Sequence, residues 1–219
     1  SGNTGTGGLV GITAGTTTAG SGVGGAITLT SGDSNDGNTG AIDLITDAGA
    51  TVTGAIGLTT GDSTGADSGT LTLETGASTT GGKGGALTLS VGNAQTGAGG
   101  GIQATAGQTS GGAQGGFVRI NGGVSAPNGG QGGYISLVSG AGTARSSGKI
   151  VVKTVNAGTK GISGALEFTS GASTSGNSGE IKLTTGTGVL GKSGDITLNV
   201  GSGNTGTGGL VGITAGTTT

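Results

Sequence analysis

Large aliphatic residues recur in pairs two positions apart along the chain, as in Ile27 and Leu29, Ile56 and Leu58, Leu71 and Leu73, Ile181 and Leu183, and Ile196 and Leu198. The residue between them is Thr, Gly or Lys in these pairs. A period of two places both aliphatics on one side of an extended backbone and predicts short strands. A helix would need apolar residues at i, i+3 and i+4, and each interior glycine would cost it roughly 1 kcal/mol relative to alanine.

Each pair sits in a short repeat, G-x-[IVL]-x-[LIVFA]-x-[STAVG]-G, followed by a stretch of small residues. The leading glycines are Gly8, Gly25, Gly40, Gly54, Gly69, Gly85, Gly100, Gly116, Gly133, Gly148, Gly164, Gly179 and Gly194, at spacings of 14 to 17, and Gly209 restarts the series. Counting from the leading glycine, the second and fourth positions are the aliphatic columns. The sixth stays small (Ala14, Ser31, Thr60, Ala106, Gly122 and Ser139 among others), and the residue before each leading glycine is only Gly, Ser or Thr.

A longer period encloses the short one. Residues 1–18, SGNTGTGGLVGITAGTTT, return letter for letter as residues 202–219, so the long period is 201 residues and holds thirteen short repeats. Residues 1–201 are read as one tandem module and 202–219 as the start of the next identical one, which predicts a longer polymer of such modules.

One strand per 15 or so residues with a glycine-rich return predicts an all-β fold: an open-ended parallel β-solenoid of about 13 coils of 14–17 residues per 201-residue module. Stacked at the strand spacing, such a module would be about 62 Å long. Two buried aliphatics per coil supply at most about 4 kcal/mol. Ordering some 15 residues costs roughly 15 kcal/mol or more, and glycine raises that cost. No coil folds alone, so the predicted stability has to come from neighbours and backbone ladders.

Composition narrows the chemistry. Sixty glycines in 219 residues, with 8% charged and 1% aromatic residues, fit neither an ordinary globular domain nor a charge-rich disordered tail. The chain has no Cys and no His, which removes disulfides, thiolate metal sites and the usual general base. Eight Lys and Arg against ten Asp and Glu leave no basic footprint for nucleic acid. No apolar run reaches the roughly 18 residues of a membrane span. Polyglycine II packing is broken by the aliphatic pairs, and GGKGGALTL and GGAITLTSG lack the Asp of calcium-binding nonapeptides. These features predict a protein that is not an enzyme and holds no cofactor or metal.

Charge is unevenly distributed. Asp33, Asp36, Asp43, Asp47, Asp62, Asp67 and Glu74 precede the first cation, Lys83; Arg119, Arg145, Lys149, Lys153 and Lys160 then follow with no acid before Glu167. One reading is solvated surface. The other is lateral registry: on a solenoid the blocks become bands about 20 Å apart, beyond a Debye length of about 8 Å, and neighbouring fibres stagger acid against base. Paired-carboxylate catalysis would need a cleft, which a filled solenoid does not offer. Glu180 and Asp195 lead adjacent coils and stack as like charges beside Lys182 and Lys192.

Phe117 and Tyr134 take the outward first position of consecutive coils, with Arg119 close by, and form the candidate interaction patch. Either the patch meets a partner fibre or a glycan, or the loop from Gly122 to Gly132, which holds the only proline, Pro127, folds over it. Phe168 replaces Leu in the inward column and reads as core. Thr28 and Thr30 invite comparison with the flat Thr arrays of ice-binding solenoids, but Arg119 and Asn121, Val151 and Lys153, and Glu167 and Thr169 break that face. None of the ten Asn residues begins an N-glycosylation sequon, whereas outward Ser and Thr offer sites for O-linked sugar or phosphate.

The repeats GGAITLTSGDS, SGTLTLETGAS, SGALEFTSGAS and SGEIKLTTGTG resemble the Gly/Ser/Thr-rich repeats of very large secreted or surface proteins, especially those of algae and other microbial eukaryotes. The resemblance covers the chain through composition and period and implies an extracellular or cell-surface β-solenoid fibre or appendage, its partners being copies of itself end to end and side by side. Bacterial fibrous adhesins are similar more loosely and imply a stalk. The expected function is structural: a filament or surface appendage built from tandem modules.

Overall fold

The structure, a computed structural model of the 219-residue chain, describes residues 7–18, 20, 22–126 and 130–217. Among them there is no helix and no strand, and no residue is buried. The predicted parallel β-solenoid is therefore not the fold of this chain. The large apolar residues at the second and fourth positions of the thirteen repeats, meant to fill its interior, are between 50% and 88% exposed, Phe168 among them. The coil spacing, the 62 Å module and the 20 Å charge bands rested on that solenoid and fall with it.

Repetition is nonetheless built into the structure, at a different place. In the N-terminal half, Ser1–Ala104, each leading glycine from Gly25 to Gly100 sits on the sixth-position residue of the repeat before it. A Cβ placed on Gly25 would meet Ala14 Cβ at 3.2 Å, on Gly40 Ser31 Cβ at 3.4 Å, on Gly69 Thr60 Cβ at 3.6 Å, and on Gly100 Val91 Cγ1 at 2.7 Å. Backbone hydrogen bonds fasten several of these junctions: the amides of Gly25, Gly40 and Gly85 donate to the carbonyls of Gly15, Gly32 and Gly76 at 2.8, 3.0 and 3.3 Å. Thr75 adds a second bond at its junction, its hydroxyl donating to the Gly85 carbonyl at 3.0 Å.

The C-terminal half, Thr105–Thr219, repeats the device. Gly116, Gly133 and Gly148 donate to Gly107, Gly123 and Gly140, each at 2.9 Å. Gly164, Gly179 and Gly194 face Thr154, Ser170 and Thr185 at 3.7, 3.8 and 3.6 Å from a built Cβ. Each junction ties the end of one repeat to the start of the next, closing the return between them. A solenoid would instead stack equal positions of successive coils, leading glycine over leading glycine.

This tail-to-head register explains why the solenoid fails. A closed return contributes one backbone hydrogen bond, on the order of 1 kcal/mol net, in place of a ladder running the length of a strand. The aliphatic pair lies beyond that single rung. It is not covered, so its contribution of about 4 kcal/mol at full burial is largely unrealised.

The returns carry the conformational demands. The chain bends at 35–37, 64–66, 95–97 and 174–176, all between aliphatic pairs. Asp33 and Asp47 accept the amides of Ser34 and Ala48 at 2.8 and 2.7 Å, and the Ser78 hydroxyl donates to the Gly81 carbonyl at 2.9 Å. Gly81 and Gly82 adopt φ of 107° and 114°, a region open to glycine and costly to other residues. Among the described residues, Leu190 is the one non-glycine residue in this region, at φ 62°.

Candidate interaction surface

The partly buried residues locate what packing there is. They are Ala14, Ser31 and Thr60 in one half and Ala106, Gly122, Ser125, Ser139 and Ser170 in the other. All but Ser125 are sixth-position residues, so the most sheltered points of the described chain are the junctions. The sequence signal was present in the small sixth column and in the small residue before each leading glycine. Its cause is the glycine that lands there from the following repeat.

The second-position aliphatics are intermediate in character. Ile27, Ile42, Ile56, Ile135, Leu166 and Ile196 keep about half of their surface in water, whereas aliphatics of the returns such as Val23, Val124 and Ile162 are almost wholly exposed. The columns thus have neighbours along the chain and an open outer side. The two copies of the repeated segment differ in cover. Val10 is 88% exposed and its sequence-identical counterpart Val211 is 48% exposed. Gly8 meets nothing within 4 Å, and its counterpart Gly209 rests on Val200 Cγ1.

Of the candidate patch, Arg119 and Phe117 come together: the guanidinium carbon lies 4.9 Å from the ring centroid, within the range of a cation–π contact. Tyr134 does not join them, and no ring stacking links it to Phe117. Phe117 and Tyr134 are 76% and 89% exposed, so the described residues of the loop, 122–126 and 130–132, leave them open; Pro127 lies outside the described residues. Glu180 is exposed, and Asp195 is not left facing a like charge: Lys192 Nζ reaches its Oδ2 at 3.0 Å, both side chains being exposed.

Charge divides along the two halves. Ser1–Ala104 carries seven acids and one cation, Lys83, a formal charge of −6; Thr105–Thr219 carries seven cations and three acids, a formal charge of +4; together they give the −2 of the chain. No cavity is present among the described residues, nor any group of three or more carboxylates that would hold a metal ion. No helix among them is long and apolar enough to cross a membrane.

No protein-family model, curated protein or solved structure matches this chain.

Proposed function

We propose that the protein is a structural one, a tandem-module chain whose copies assemble into an extracellular filament or surface appendage. The observation that carries this reading is the junction at Gly209. There the module begins again, and the leading glycine of the new module rests on Val200 of the old one, as the leading glycines from Gly25 onward rest on the repeat before them. The join between modules is built like any join within one, so modules add without a special connector. The open aliphatic columns supply the second half of the reading. Some forty large apolar side chains standing in water are far more than a soluble monomer commonly leaves uncovered, and association of copies removes that area from solvent. Placement outside the cell rests on the resemblance of the Gly/Ser/Thr-rich repeats to those of large secreted and surface proteins.

The test is sedimentation velocity across a concentration series, with electron microscopy of the same samples. Concentration-dependent growth into elongated particles is the expected result. A chain that stays monomeric at every concentration and salt would overturn the proposal.

A further inference from the structure

We infer that association joins unlike halves: the acidic Ser1–Ala104 half of one copy docks on the basic Thr105–Thr219 half of another. The inference rests on the proposed self-association and specifies its mode. Three observations lead to it. The halves carry formal charges of −6 and +4, so like halves of two copies repel and unlike halves attract. In the basic half, Arg145, Lys149, Lys153 and Lys160 are exposed, fall within 16 residues and have no acid between them. And both halves present the same open aliphatic pairs, for example Leu71 and Leu73 in one and Ile150 and Val152 in the other, so apolar area is buried whichever halves meet. Apolar burial supplies affinity without choosing the partner; charge makes the choice.

The second copy is the occupant favoured by this complementarity, because the chain itself carries both signs in separate blocks, −6 in one half and +4 in the other. Intramolecular neutralisation is limited where the structure records it: the Lys192–Asp195 pair lies inside the basic half and removes one charge of each sign, leaving its net charge unchanged. Unlike halves that meet head to tail, one contact per half, form a heterologous arrangement. Each copy then has one half of each kind to offer, and the contact propagates along a row of copies.

The experiment mixes full-length chains of natural and ¹⁵N isotopic composition, lets them assemble, and couples carboxylates to amines with a zero-length carbodiimide. Peptides joining the two isotopes report contacts between copies only. The expected links run from Asp33, Asp36, Asp62, Asp67 or Glu74 to Lys149, Lys153 or Lys160, and association weakens about tenfold between 50 and 500 mM salt as screening shortens the reach of charge. A full-length variant with Lys149, Lys153 and Lys160 changed to Glu should associate less than the natural chain and regain association when mixed with it.

Mixed-isotope links confined to Lys83 with the acids of its own half, or to Glu167 and Glu180 with the lysines of theirs, would overturn the pairing of unlike halves. So would assembly that does not respond to salt; both results leave self-association itself standing. Absence of assembly at every salt would remove the proposed function and this inference together.

Discussion

A methyl group on Gly122 would run into the carbonyl oxygen of Gly133. Gly122 is the one glycine in a sixth column otherwise made of Ala, Ser, Thr and Val, and this approach is the reason. At the same junction Gly133 donates to Gly123 at 2.9 Å, so the backbones meet without a side chain between them. Gly122→Ala should open the junction, whereas Gly179→Ala, whose new methyl would lie 3.8 Å from Ser170 Cβ, should be accommodated. Amide hydrogen exchange at Gly133 is the readout: roughly a fivefold acceleration in Gly122→Ala, in keeping with loss of a bond of about 1 kcal/mol, and no change there in Gly179→Ala.

Leu190 stands at φ 62° with its side chain fully in solvent. A branched residue in the left-handed region gives up roughly 1 kcal/mol relative to glycine, and here no packing compensates for it. Leu190→Gly should therefore favour the observed turn instead of loosening it. Slower exchange of the Gly191 and Lys192 amides is the expected outcome. Faster exchange would mean that the extra freedom glycine brings to the open chain outweighs the relief of strain.

The open columns make a separate prediction about association. Leu71, Leu73, Leu87 and Leu89 each retain more than half of their surface in water, and covering the remainder is worth about 1 kcal/mol per side chain. Changing all four to Thr should raise the dissociation constant of self-association by about a thousandfold, measured by sedimentation equilibrium. The far-ultraviolet spectrum of the dilute monomer should not move, because those leucines support no buried core within the chain.

How far the sequence could be read divides at the junctions. The thirteen leading glycines and the small sixth column were legible as a pattern, and the structure uses those very positions. What the pattern could not say was which copy of the pattern each glycine meets. Ile27 and Leu29 look the same in sequence whether they face a closed interior or open water, since alternation reports a strand-compatible face and not what covers it. The solenoid assumed that equal positions stack; the Gly25–Gly15 and Gly148–Gly140 bonds show ends meeting beginnings instead. For the candidate patch, spacing placed Phe117 and Arg119 on one side of the backbone and they do meet, because two residues apart is a local relationship. Tyr134 lies one repeat away, and its expected stacking on Phe117 depended on the coil register that the chain does not adopt.

That difference leads to a last prediction, for which Tyr134 is a natural probe as the only tyrosine of a chain without tryptophan. With its ring 89% exposed and free of Phe117, its fluorescence in the dilute monomer should be quenched by iodide as readily as that of a free tyrosine derivative, and Phe117→Leu should leave this unchanged. Arg119→Gln removes the cation over Phe117, a contact worth about 0.5 kcal/mol at an exposed site, and should be equally silent at Tyr134. If the patch lies within the contact between copies, quenching should fall as the concentration is raised through the assembly range, in step with sedimentation. Unchanged quenching in assembled material would place Tyr134 outside that contact and leave the aliphatic columns and the charged halves to hold the copies together.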